Sequence, residues 1–364
     1  MKIKRIVVNI SISLITTIVC LFIGEYILRS LIFSKNPAFE KLRDPGDYSD
    51  PNSEDDYWKL YYLFGGEFKP PENPHPLLGW TGTFYEENYT HWNSHQINNR
   101  RPVLLYGNSF AQCVPASICF QKILNNDTTF AKENYFLNYG VGGYGVDQIS
   151  LLFKNSYHLY NKPFVVFGLL TTDLDRSILS VRTGQKPYYV IKGDSLQLTN
   201  VPINKNPKDY FDNNPPQIKS YLFRKFLYGK TNFLPKKLTS YLKKEKEYTN
   251  KKITINEKIL LDVVNTLRNN NVDFIFVIFQ FLEYGIDNWG EEGENNWRNV
   301  FLKGFLEKNN VPYIWTRDLI KNDTTYDKND IPKYIIPGDG HPTTHFNLLI
   351  AKEIKKAVLA CPVN

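Results

Sequence analysis

The sequence predicts an α/β sandwich built on a parallel sheet and preceded by one N-terminal membrane helix. Three observations carry this expectation. An uncharged apolar run lies near the start, short apolar runs alternate with stretches of helical periodicity from Pro102 onward, and one run, Phe164–Leu170, is apolar on both alternating faces. With 364 residues, 42% hydrophobic and 22% charged, the chain is globular in composition and long enough for one large domain or two ordinary ones. Forty-four Lys+Arg against 37 Asp+Glu leave +7, short of the basic stripe that nucleic acid requires, so no nucleic-acid partner is expected. Four cysteines without a C-x-x-C pair give no zinc motif, and neither a metal nor a cofactor is expected.

Ile6 to Gly24 carries no charge and, at about 1.5 Å per residue, covers roughly 28 Å, the thickness of a bilayer's hydrocarbon. Lys2, Lys4 and Arg5 precede it and Glu25 follows, which predicts a cytoplasmic N-terminus and an exported remainder. The run exceeds a signal-peptide core and lacks an A-x-A site, so residues 1–35 are read as an uncleaved anchor. Asn9, Ser11, Ser13, Thr16 and Thr17 moderate its hydrophobicity and keep secretion after cleavage as the alternative. Cys20 follows the bulky Val19 and is read as a thiol among lipid tails rather than a lipidation site.

Residues 36–101, rich in Pro, Asp, Asn, Tyr and Trp, read as a stalk and an irregular lead-in. Strands are expected at Val103–Tyr106, Tyr135–Asn138, Phe164–Leu170, Asp273–Phe279 and Pro312–Trp315. Helices are expected at Val146–Tyr160, Glu257–Asn269, Asn295–Lys308 and Thr344–Ala360, where apolar residues such as Ile259, Val263 and Leu267 recur at helical spacing. The domain would run over residues 102–364, with an insertion at about 182–252. Its lysine-dense part, Lys236 to Lys252, could lie against anionic lipid or an acidic glycan, but Glu245 and Glu247 dilute it and it reads as a solvated helix.

Three stretches could carry chemistry. Val103 to Phe110 runs from an apolar strand into Gly107-Asn108-Ser109, which presents Ser109 at the carboxyl edge of the sheet as a candidate nucleophile. Asn138 to Gly145 holds four glycines whose backbone N–H groups could face an oxyanion, Gly143 among them, and it lacks a phosphate-loop lysine. Pro337 to Pro342 carries Asp339 and His341, a carboxylate and a base two residues apart on a Pro/Gly-bracketed loop. His345, in the first turn of the last helix without a carboxylate nearby in sequence, reads as a surface or capping residue. His75, His91, His95 and His158 read as ordinary polar side chains.

The order Gly-Asn-Ser-Phe, Asn-x-Gly-Val-x-Gly-Tyr-Gly, Asp-Gly-His-Pro resembles the SGNH (GDSL-type) hydrolase superfamily over about Pro102 to Ala360. The resemblance implies a flavodoxin-like three-layer α/β/α fold and an acyl-enzyme on Ser109. It also implies His341 as base, Asp339 as its orienting group, and Ser109 and Gly143 as oxyanion donors. Membrane-anchored members often modify surface polysaccharides, so the implied partner is an ester-bearing, acetylated glycan, and the implied activity is ester hydrolysis or O-acyl transfer. Asp-x-His, in place of the commoner Asp-x-x-His, resembles exopolysaccharide-modifying members. Two departures stand out. Asn108 replaces the motif's aspartate, and Thr171-Thr172-Asp173-Leu174-Asp175-Arg176 stands where Gly-x-Asn-Asp is expected. Asn108, Thr172 and Asp173 therefore join Gly143 as the expected oxyanion and substrate-binding set, with Thr172 a partial substitute for the missing amide. One lost donor costs on the order of 10² to 10³ in turnover. The alternatives are a catalytically reduced glycan-binding or assembly protein on the same scaffold, suggested by the missing amide and the 15% aromatic content, and a protein scaffold using the basic insertion. Cys113 and Cys119 could pair, but three exported cysteines leave one over and no bridge is assigned.

Overall fold

The computed structural model describes residues 2–50, 56–66, 73–82, 97, 99–182, 184–229, 235–280, 296–325, 327 and 330–361. His91, His95 and Asn295 lie outside these residues. The chain forms two compact units, one of residues 1–69 and 206–248, the other of residues 70–205 and 249–364. The segment read as one insertion is thus shared between them.

The larger unit is an α/β/α sandwich on a five-stranded parallel sheet. In chain order its elements are β1 (Arg101–Gly107), α1 (Ser109–Gln112), α2 (Phe120–Asn125), β2 (Asn134–Gly140), α3 (Val146–Ser156), β3 (Phe164–Leu170) and α4 (Asp173–Arg176). There follow α5 (Glu245–Asn269), which belongs to this unit from Thr249 on, β4 (Asp273–Phe279), α6 (Trp297–Lys308), β5 (Tyr313–Trp315) and α7 (Thr344–Leu359). The strands lie in the order β2-β1-β3-β4-β5, all neighbours parallel. This is the order in which chain direction across the sheet reverses beside β1, and open α/β sheets bind ligands at that point.

Alternation along the strands separates two cores. Leu104, Tyr106, Leu137, Val165, Phe167 and Phe276 face Ile149 and Phe153 of α3, Ile259, Val263 and Leu267 of α5, and Leu302 of α6. Val103, Leu105, Phe136, Val166 and Val277 face Phe120 and Leu124 of α2 and Ile350, Ile354 and Val358 of α7. A strand covered on both faces writes an unbroken apolar run, which is why Phe164–Leu170 and Asp273–Phe279 coincide with the expected spans. Helix α5 starts twelve residues before its expected Glu257, because its first turns, Glu245 to Lys252, are nearly all polar and show no apolar stripe.

The smaller unit gathers the end of the N-terminal helix Lys2–Ile32, the turns and short helices of residues 37–63, and the helices Pro207–Asn213, Tyr221–Tyr228 and Lys236–Leu242. Its core is Ile32, Tyr48, Leu60 and Tyr221, with Leu28, Leu42, Phe64 and Ile218 packed around them. Much of the expected stalk is therefore folded. Glu25, the first charge after the apolar run, accepts hydrogen bonds from Tyr221 N (3.0 Å), Leu222 N (2.8 Å), Ser220 Oγ (2.8 Å) and Arg29 Nε (2.5 Å). It satisfies the open amides at the start of the helix Tyr221–Tyr228.

Candidate active site

Ser109 opens α1 at the carboxyl end of β1, and Asn108 is the cap: its Oδ1 accepts from Phe110 N at 2.8 Å. The glycine stretch after β2 lies directly over this turn. A Cβ on Gly140 would fall 2.2 Å from Gln112 N, so only glycine permits the approach. Gln112 of α1 in turn accepts from Gly142 N at 2.7 Å, and Asn138 Nδ2 donates to Ala111 O at 2.8 Å. The first two motifs are joined by these bonds.

The third motif completes the constellation. Gly338 and Gly340 take positive φ values of 76° and 82°, and Ile336 N donates to His341 O at 2.9 Å, which folds the loop tightly. His341 Nε2 lies 2.9 Å from Ser109 Oγ, across 232 residues of sequence. Its Nδ1 is hydrogen-bonded to Asp339 Oδ1, which also accepts from His341 N at 3.2 Å. The bond from His341 holds the Asp339 carboxyl below the usual carboxylate range, so it is charged at neutral pH. The Phe110 ring packs 4.8 Å from the imidazole, centroid to centroid. A hydroxyl, an imidazole and a carboxylate in this sequence can pass a proton from Oγ to Nε2 while Nδ1 stays paired.

Two backbone donors border the serine. Among the described residues, neither Ser109 N–H nor Gly143 N–H has an acceptor, and Gly143 holds a φ of +82° that favours glycine. A Cβ on the adjacent Gly142 would stand 3.9 Å from Ser109 Cβ, which places this loop beside the hydroxyl.

Asn108 and Asp173 occupy a different position from the expected one. Both are fully buried, and Asn108 Nδ2 donates to both Asp173 oxygens at 2.8 Å. Asp173 also accepts from Leu170 N and Arg176 Nη1, each at 2.8 Å. Neither side chain has surface exposed to solvent, and the pair lies under the Ser109 turn. Burial pushes the Asp173 carboxyl up to about 6, against the pull of Arg176 and the Asn108 hydrogen bond. Thr172, the residue before α4, is half-buried, and among the described residues its hydroxyl makes no hydrogen bond. Asp175 pairs with Lys252 Nζ (2.8 Å) and Arg298 Nε (2.5 Å).

Sequence reasoning passed over two of the supporting groups, Trp80 and Lys186. Trp80, in the lead-in, donates from Nε1 to Gly142 O at 2.9 Å and receives the Tyr144 hydroxyl on its own carbonyl. Arg176 Nη1 donates to Tyr144 O at 3.1 Å as well as to Asp173, linking the glycine loop to the strand-end carboxylate. Buried Lys186 pairs with Asp147 at the start of α3 and donates to the carbonyls of Arg176 (3.1 Å) and Leu179 (3.0 Å). No local pattern marks such long-range bonds. Cys113 and Cys119 form a disulfide that closes the loop after α1, while Cys20 and Cys361 are free. The two Cα atoms stand 5.6 Å apart, within the range a disulfide spans. His345 finds a carboxylate after all, its Nε2 lying 3.1 Å from Asp323 Oδ2, away from Ser109. His75 Nδ1 accepts from the amides of Leu77 (3.2 Å) and Leu78 (3.1 Å), and His158 Nδ1 lies 3.2 Å from Lys154 O.

No protein-family model matches the chain, and no curated protein matches it. Among solved structures it is similar to a member of the lipolytic protein G-D-S-L family from Veillonella parvula, at 14% identity and a TM-score of 0.39, over 72% of this chain and 100% of that one. It is similar to an acetyl xylan esterase at 13% identity and a TM-score of 0.39, over 71% and 99% of the two chains. A lipase/acylhydrolase from Enterococcus faecalis aligns at 13% identity and a TM-score of 0.36, over 70% and 96%.

Proposed function

We propose that the chain is a serine-dependent ester hydrolase or O-acyl transferase acting outside the cytoplasm, with an acetylated surface glycan as the substrate class. The observation that carries this proposal is the 2.9 Å contact between Ser109 Oγ and His341 Nε2, with Asp339 on the opposite ring nitrogen. Ser109 Oγ attacks the ester carbonyl as His341 takes its proton, and the oxyanion is received by the amides of Ser109 and Gly143. Collapse expels the alkoxide, which leaves with the proton from His341. Water, or an acceptor hydroxyl, then attacks the acyl-serine, passes its own proton to His341, and releases Ser109 as His341 returns that proton. The resemblance of the three motifs to SGNH hydrolases points the same way.

The test is covalent labelling of the full chain in detergent with a fluorophosphonate, alongside turnover of p-nitrophenyl acetate. Label on Ser109 and hydrolysis are expected from the native chain. Ser109→Ala should lose the label and at least about 10⁴-fold of turnover. Absence of both from the native chain would instead support a catalytically reduced glycan-binding protein, the reading favoured by Thr172 standing where a third, amide donor is expected.

An uncleaved span is supported by the N-terminal helix itself. Its side chains from Ile6 to Ile23 are exposed and want an apolar solvent. Its continuation, Leu28 and Ile32, is packed into the smaller unit's core, so a protease cutting there would have to open a folded helix.

A further inference from the structure

A second surface suited to lipid is built where the N-terminal helix leaves its uncharged run. The amides that open the helix Tyr221–Tyr228 are bonded to Glu25, and Leu222 Cδ2 lies 3.3 Å from where Gly24 would carry a Cβ. This helix therefore begins at the level where the apolar run ends. One side of it, Tyr221 and Leu227, is buried, whereas the other exposes Phe223 (51%) and Phe226 (49%). The following helix, Lys236–Leu242, exposes Leu238, Tyr241 (79%) and Leu242. Lys243 Nζ, 4.9 Å from the Tyr228 ring, joins the two helices, and Lys237, Lys244 and Lys246 are exposed around them.

Large rings held in water forgo roughly 25 cal/mol for each Å² of apolar surface left unburied. Rings and aliphatic side chains mixed with lysines at the mouth of an apolar helix are what the interfacial layer of a bilayer accommodates: rings at the headgroup level, ammonium groups on anionic phosphates. We propose that the face formed by Phe223, Phe226, Leu238, Tyr241 and Leu242 docks onto the headgroup layer of the membrane that the N-terminal helix enters, its lysines on anionic phospholipid. The stretch from Lys237 to Lys246 is then a membrane contact rather than a solvated face. The proposal rests on the N-terminal helix lying in lipid and is independent of the esterase chemistry.

The test uses the full chain in nanodiscs of phosphatidylcholine, with and without phosphatidylglycerol. A polarity-sensitive fluorophore is placed at Phe226→Cys or Tyr241→Cys in a background with Cys20 and Cys361 changed to Ser. Asn213→Cys, on an exposed helix end, is the reference, and a separate variant carries the label on native Cys20. Blue-shifted emission and quenching by lipid-borne nitroxides are expected at residues 226, 241 and 20, and neither at 213. Lys237→Gln and Lys246→Gln should each lower the docked-to-undocked ratio about fivefold in discs containing phosphatidylglycerol. Quenching at Cys20 with residues 226 and 241 left in water would overturn the second contact while leaving the span in place. No quenching at Cys20 would remove the span itself and the proposal with it. If an added acidic polysaccharide shields the labels and lipid does not, the surface belongs to a glycan and the proposal fails.

Discussion

Asp339 sits on an exposed loop, and the task proposed for it is to hold one ring nitrogen of His341 so that the other faces Ser109 Oγ. Asp339→Asn should lower kcat on p-nitrophenyl acetate by about 10² to 10⁴-fold. Folding should barely change, because exposed pairs contribute at most about 1 kcal/mol, so urea unfolding separates the two effects. Asp173 behaves oppositely. An acid whose folded pKa, about 6, stands above its ordinary 3.8 binds its proton more tightly in the folded state. Its contribution to stability is whole below about pH 4 and is lost as pH rises through about 6, a difference of about 3 kcal/mol. Urea unfolding across this range should therefore show the native chain losing stability relative to Asp173→Asn as pH rises; parallel curves would contradict the burial argument.

Among the elements, α3 is tied to the end of α4 through buried Lys186, which pairs with Asp147 and donates to Arg176 O at 3.1 Å. Lys186→Met would leave the Asp147 carboxyl buried without its partner at the start of α3, at an expected cost of about 3 to 5 kcal/mol in urea unfolding. What the sequence revealed of these elements follows from how each is buried. Strands β3 and β4 were legible to the residue because both faces are covered, and the three site loops were legible because glycine and proline bracket them. Trp80 was not: its partner Gly142 lies 62 residues away, and a lone tryptophan in an irregular segment has no period to betray it. The start of α5 was missed because Glu245 to Lys252 is almost all polar, and the contact between Glu25 and Tyr221 spans 196 residues that no local pattern connects. Asn108 and Asp173 are expected as oxyanion and substrate-binding groups and are fully buried, since a motif tells which residues meet and not which of them face solvent.

Over the whole molecule, the residues of the site belong to one unit and the end of the apolar helix to the other. Removing residues 2–20 should release the chain from detergent dependence with kcat/KM on a soluble ester unchanged, because Glu25, Leu28 and Ile32 remain. Removing residues 2–32 deletes Leu28 and Ile32 from the smaller core, where losing one large apolar side chain costs about 2 to 5 kcal/mol. Limited proteolysis should then cut within residues 206–248, and equal resistance of the two truncations would contradict that packing. The pairing of residue 109 with residue 341 also has a consequence in time. At about 5 to 20 residues per second, a ribosome needs on the order of ten to fifty seconds to travel from the hydroxyl to the imidazole. A nascent chain stopped short of residue 341 thus carries Ser109 without the imidazole that stands beside it in the folded structure.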